Sequence, residues 1–214
     1  MTSSVVIFDQ IKKITIKLIE KGLSVEQNFP SNKQGRIAYS GMQDISIAMK
    51  NITYDEIYAA LEQSKNYNIK MIDGALIQML YNFDNAKLIS HRLAFFPAPN
   101  LESFQNEPEL YEDDEIYADI LGRNIVTFPI RFDFDPSNFE EIDHPMSHAT
   151  FGQYKNCRIP VSEPITPEVF ITFILRNFYN TVFNKHAEDI PLSDYRFNKT
   201  ITDKEKSLFH FGMY

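Results

Sequence analysis

Between Thr127 and Asp135 apolar and polar side chains alternate. Phe128, Ile130, Phe132 and Phe134 fall on one parity, and Thr127, Arg131, Asp133 and Asp135 on the other. Successive side chains of a strand point to opposite faces, so this segment fits a sheet with one buried and one polar face. Pro129 cannot donate to a ladder, which suggests an edge position or a bulge. The partner for the buried face lies downstream. Thr166-Pro167 is a strong helix start, with proline at the first helical position. From Glu168 to Phe183 apolar residues occur on nearly every side, among them Phe170, Ile174 and Phe178. A helix apolar all round is buried, so the sheet is expected to pack on this one, with Phe132, Phe134, Phe170, Ile174 and Phe178 in one core.

The rest of the chain supplies more strands and two further helices. Ile7, Ile11, Ile14 and Leu18 recur at helical spacing over residues 6–21, before Gly22. Thr53-Tyr54-Asp55-Glu56 is a capping box flanked by Ile52 and Ile57, opening a helix over 54–65. Residues 25–34 read as a polar loop, 36–39 as a short strand and 43–50 as a brief helix. Two longer strands, 75–83 and 86–96, flank Asp84-Asn85, whose residues suit a two-residue hairpin turn. That turn would set Gln78 opposite His91. A second hairpin, 148–153 with 156–161, is expected around Tyr154-Lys155, and a turn of helix at 203–208. Strands clustered by tight connections indicate an α+β fold, a mainly antiparallel sheet packed against the C-terminal helix and N-terminal helices. No Gly-rich phosphate loop precedes a helix, which leaves nucleotide-binding Rossmann and P-loop folds without support. Residues 1–214 read as one domain with an acidic excursion at about 100–121.

Charge bears on the choice of partner. The chain has 29 acidic and 21 basic residues, a net charge of -8. Eight of the acidic residues lie in 102–119, which has no Lys or Arg. Setting that segment aside leaves 21 of each sign, so the remaining surface can hold a basic patch. The acidic segment itself reads as a solvated excursion or as a docking arm for a basic protein partner. No stretch approaches the roughly 20 apolar residues needed to cross a bilayer. The Met1-Thr2-Ser3-Ser4 start has no basic region ahead of an apolar run. The single Cys157 excludes an internal disulfide and fits a reducing, cytoplasmic location.

Four short motifs follow one another in order: Arg131-Phe132-Asp133-Phe134-Asp135-Pro136, His144-Pro145-Met146-Ser147-His148-Ala149-Thr150, Asn156-Cys157-Arg158-Ile159-Pro160-Val161, and Phe173-Ile174-Leu175-Arg176-Asn177-Phe178-Tyr179. Together they resemble a bacterial family known only as a domain of unknown function. The resemblance brings no activity with it. It implies a bacterial protein, from a mobile or defence-related locus.

The residues themselves suggest chemistry. Arg131 and Asp133 share a strand face, with His148 on the next strand and Arg158 on the one after. A histidine working as acid or base near neutral pH, with arginine stabilising charge on phosphorus, is a metal-independent ribonuclease arrangement. Arg131, Asp133, His148 and Arg158 are therefore the candidate catalytic residues, and RNA the candidate ligand. The competing reading makes them a buried ion-pair network that fixes strand register, with His148 bonded to a backbone carbonyl. A divalent metal is a weaker option. His144 and His148 converge on one ion only if helical, with Asp133, Asp135 or Asp143 completing the set. Extended, they stand roughly 13 Å apart. No other cofactor is expected. The alternative to an RNA-acting protein is a non-catalytic interaction subunit that docks through the acidic segment.

Overall fold

The computed structural model describes residues 3–39, 52–99, 127–186 and 193–212. The expected helix at 43–50 and the acidic segment 102–119 lie outside these residues. The described chain forms an α+β fold with a nine-stranded antiparallel sheet.

Helix α1 (Ser3–Glu20) opens the chain and buries Ile7, Ile11, Ile14 and Leu18, the predicted stripe. Strands β1 (Ser24–Gln27) and β2 (Pro30–Lys33) follow where a loop was expected, and β3 (Arg36–Tyr39) pairs with β2. The loop reading rested on polarity. An edge ribbon with exposed faces has no apolar alternation to show, so its strands were not visible in the sequence. Helix α2 (Tyr54–Gln63) starts on the Thr53–Glu56 capping box. Strand β4 (Ile69–Met71), too short for an alternation signal, leads into β5 (Leu76–Asp84) and β6 (Lys87–Phe96). Strands β7 (Ile130–Phe134), β8 (Ser147–Phe151) and β9 (Ile159–Pro160) complete the sheet. Helices α3 (Pro167–Phe178), α4 (Asn180–His186) and α5 (Asp203–Lys206) close the chain.

The sheet runs β1-β4-β5-β6-β7-β8-β9, with the β2–β3 ribbon also held to β5. Register differs from the expectation at the β5–β6 hairpin. The turn centres on Asn85-Ala86, with Asn85 at a φ of 52°, and a bulge follows at Asn82/Phe83. Gln78 therefore faces Ala94, and His91 faces Tyr81. The expected pairing is off by three residues. An odd shift moves every side chain to the other face, so Gln78 and His91 lie on opposite sides of the sheet.

One face packs on α1 and α3 around Ile77, Met79, Tyr81, Leu93, Phe95, Ile130 and Phe132. Phe170 and Ile174 join Phe132 there. Phe134 is buried too, but against His91. Phe178 is 38% exposed, stacked on Phe95 at the rim. Helix α3 is not apolar all round in its setting, because Arg176, Asn177 and Phe178 face outward. It also ends sooner than expected, at Tyr179. The α3 entry is held through both backbone groups of one residue, Ile165. The backbone N–H of Ile165 donates to Nε2 of His91 at 3.0 Å, and Tyr81 donates to its carbonyl at 2.8 Å. Thr166 then caps the helix by accepting from the N–H of Val169. On the other face a smaller cluster seats α2, through Ile57 and Leu61, over Leu76, Ala94 and Phe96. Beyond α2 that second face is not covered by the described helices.

Candidate functional site

The uncovered part of the second face is the floor of a cavity of about 850 Å³. Strand alternation and the β5–β8 register decide which side chains meet there. One row across the sheet is Leu80, Arg92, Asp133 and His148; the next is Gln78, Ala94, Arg131 and Thr150. Neighbouring strands lie about 4.8 Å apart, so side chains in adjacent rows touch across the strands. All four predicted residues, Arg131, Asp133, His148 and Arg158, line this cavity, as do His144, Asp135, Arg36 and Lys155.

Asp133 is the hub. Arg92 donates from Nε to its Oδ1 at 2.9 Å. Nη1 of Arg131 and Nε2 of His148 each lie 4.0 Å from its Oδ2. Burial pushes the Asp133 carboxyl up, but Arg92 and Arg131 outweigh it and hold the group below the usual carboxylate range. One carboxylate thus serves two arginines. Arg131 is the poorly compensated one. Its Nε is buried with no hydrogen-bond partner among the described residues. Burial lowers its pKa, Asp133 opposes that, and Arg92 and Arg158 add to it. A buried cation flanked by other cations favours an incoming anion.

His148 is buried on β8. Its Nδ1 lies 2.9 Å from the carbonyl of Pro145. A carbonyl only accepts, so Nδ1 carries the proton, and Nε2 is the free base turned toward Asp133. Burial lowers the His148 pKa against the raising effects of Pro145 and Asp133, so the ring is neutral at neutral pH. The backbone contact foreseen by the ion-pair reading and the shared cavity foreseen by the catalytic reading are both present.

His144 and His148 are neither helical nor fully extended relative to each other. The chain turns between them, with the N–H of Asp135 donating to the carbonyl of Met146. Their rings meet edge to face, 4.9 Å between centroids. The Nδ1 contact leaves Nε2 of His148 as the nitrogen that faces its neighbours. Asp135 accepts instead from Ser137 and from Asn138. Among the described residues no group of three His, Cys, Asp or Glu is arranged to hold a metal ion.

The loop carrying His144 is itself braced. Ile142 adopts a φ of 77°, costly for a β-branched residue. Its N–H points at Glu205 of the α5 capping box at 3.5 Å, and Lys204 pairs with Glu141 at 2.6 Å. The tail therefore holds this loop over the cavity.

Sequence reading missed Arg92 and the polar residues under α2. Arg92 has the parity of the polar face, but its link to Asp133 depends on the β6–β7 register, which no local pattern gives.

A profile of an uncharacterised conserved protein family, DUF2290, matches residues 23–213. The chain belongs to that family. No curated protein and no solved structure gives a significant match. The DUF2290 match spans β1 through the C-terminal segment, so every strand that builds the cavity lies within it. No described helix is long and apolar enough to cross a membrane.

Proposed function

We propose that this DUF2290 protein acts on RNA, holding a phosphodiester in the cavity through Arg92, Arg131 and Arg158. The carrying observation is one buried carboxylate shared by two arginines: the largely buried Arg131 shares Asp133 with the half-exposed Arg92 and keeps an Nε with no partner among the described residues. A purely structural ion-pair network would pair each cation with its own carboxylate. A guanidinium that shares its carboxylate retains donors for phosphate oxygens, and its planar fork fits them. His148 is the proton acceptor in this reading. Its Nε2 is unprotonated at neutral pH, and Asp133 stabilises the imidazolium formed when it takes a proton. The arginines stabilise the charge that builds on phosphorus.

The test compares wild type with Arg131→Gln and His148→Ala on single-stranded RNA, for binding across salt concentrations and for cleavage with and without chelator. One neutralised phosphodiester gives a slope of log affinity on log salt of about -0.7. Arg131→Gln is expected to weaken binding and make that slope shallower. His148→Ala is expected to abolish cleavage, and chelator is expected to leave wild-type cleavage unchanged. Wild type that neither binds nor cleaves RNA, or variants that match it, would overturn the proposal.

A further inference from the structure

The cavity has a second end of different chemistry. Two strands across from Arg131, in the same row, stands Gln78, with Ala94 between them. Ala94 is the smallest side chain of that row and is covered by α2, so the cavity passes from Arg131 to Gln78 beside it, along Leu80. Gln78 is 6% exposed and Asn66 2%, and both line the cavity beneath Ile57 and Leu61 of α2. The side-chain amide of Gln78 donates to the backbone carbonyl of Asn66. That carbonyl can only accept, so the Gln78 nitrogen must face it, and Oε1 is left as an acceptor. Oδ1 of Asn66 is buried with no partner among the described residues. A buried acceptor left without a donor is destabilising, and a ligand donor would relieve it. Phe96, 3% exposed, lines the same end.

We infer that this end is a base pocket, so that the cavity takes one nucleotide with its base unpaired: phosphate at Arg131, base edge at Asn66 and Gln78. The inference rests on the phosphate reading above and adds the specificity. Arg131 and Gln78 are separated by two interstrand spacings of about 4.8 Å, a span one nucleotide bridges. Two acceptor oxygens call for a base edge that presents donors. Adenine, cytosine and guanine each offer an amino group on that edge. Uracil offers a single N–H between two carbonyls. The apolar walls from Ile57, Leu61 and Phe96 suit the faces of a base, and single-stranded RNA is read through such splayed bases.

The experiment is a calorimetric titration of the full chain with AMP, CMP, GMP, UMP and ribose 5-phosphate, repeated with Gln78→Leu and Gln78→Glu. Expected in wild type is binding of AMP, CMP or GMP at least tenfold tighter than ribose 5-phosphate, with UMP the weakest nucleotide. Gln78→Leu should bring that ratio close to one. The wild-type titrations decide the matter even if Gln78→Leu fails to fold, and Gln78→Glu, nearly isosteric and still an acceptor, should keep the preference for amino-bearing bases that Gln78→Leu loses. Equal affinity for ribose 5-phosphate and all four nucleotides would overturn the base pocket and leave the phosphate site standing. Absence of binding by every phosphate compound would overturn both.

Discussion

At the scale of single residues, the decisive contrast is between Asp133 and Arg131. Both belong to one buried cluster, yet their removal should act in opposite directions. Asp133→Asn leaves Arg92 and Arg131 without their shared carboxylate. Removing one partner of a fully buried ion pair costs about 3 to 5 kcal/mol; Arg92 is half-exposed, so a denaturant melt should show a loss of about 3 kcal/mol or less. Arg131→Gln removes the cation whose burial is least compensated and whose neighbours repel it. Its stability should equal or exceed that of wild type, as happens where a functional site is held at the expense of the fold. A loss of more than about 2 kcal/mol in Arg131→Gln would make the cluster a structural brace. His91 is the second residue with a measurable signature. Burial depresses its pKa to about 4, against about 6.5 unfolded. The unfolded chain therefore binds the extra proton first, and the neutral ring contributes stability that is full above pH 6.5 and lost as pH falls toward 4. The loss is about 3 kcal/mol over that window. Protonation would also abolish the acceptor at Nε2 that takes the Ile165 N–H. His148, shifted the same way, adds to the slope, whereas Asp73, raised by burial, works against it. The difference in unfolding free energy between wild type and His91→Gln, followed from pH 7.5 to 4, isolates the His91 part and should shrink as pH falls.

At the scale of elements, the helices and long strands were legible and the ribbons were not. The Ile7–Leu18 stripe, the Thr53–Glu56 box, the Thr166-Pro167 start and the alternation through Phe134 are local signals, each enforced by a repeat or a cap. Strands β1, β2 and β4 have three or four residues each, too few for a period to emerge. Of the three-residue shift in the β5–β6 register, two residues come from the turn centring on Asn85-Ala86 and one from the bulge, a property of the pair that nothing in β5 or β6 alone records. The candidate site was partly legible for the same reason. Arg131, Asp133, His148 and Arg158 sit in motif-like runs. Arg92 enters only through pairing, while Asn66 and Gln78 enter through the fold of α2 over the sheet. The sheet–helix core gives the element-scale prediction. Phe132 packs edge to face on Phe170 and Phe173, with centroids 6.1 and 5.4 Å away. Truncating Phe132 or Phe170 to Ala should cost about 3 to 5 kcal/mol in denaturant melts. A change below about 1 kcal/mol would remove α3 as the main support of the sheet.

At the scale of the whole molecule, the two faces of the sheet divide the labour. One is sealed by α1 and α3; the other is roofed by α2 at one end and holds the arginines at the other. The attachment of the β2–β3 ribbon has a consequence for motion. β4 occupies the first half of the β5 edge, and the ribbon is left only the pairs Arg36↔Asn82 and Ile37↔Tyr81. Arg36 and Tyr39, which line the cavity, therefore ride on a ribbon whose ladder to the sheet is two residue pairs and the Phe83 N–H to Gly35 bond, backed by the buried Ile37, while β6 and β7 are flanked on both sides. Segments so thinly attached open at a far smaller free energy than the centre of a sheet. In amide hydrogen exchange β2 and β3 should lose protection early and together, with β6 and β7 last. A short single-stranded RNA seated against the ribbon would slow exchange at β3 and leave β1 unchanged, so the ribbon would report occupancy without touching the chemistry.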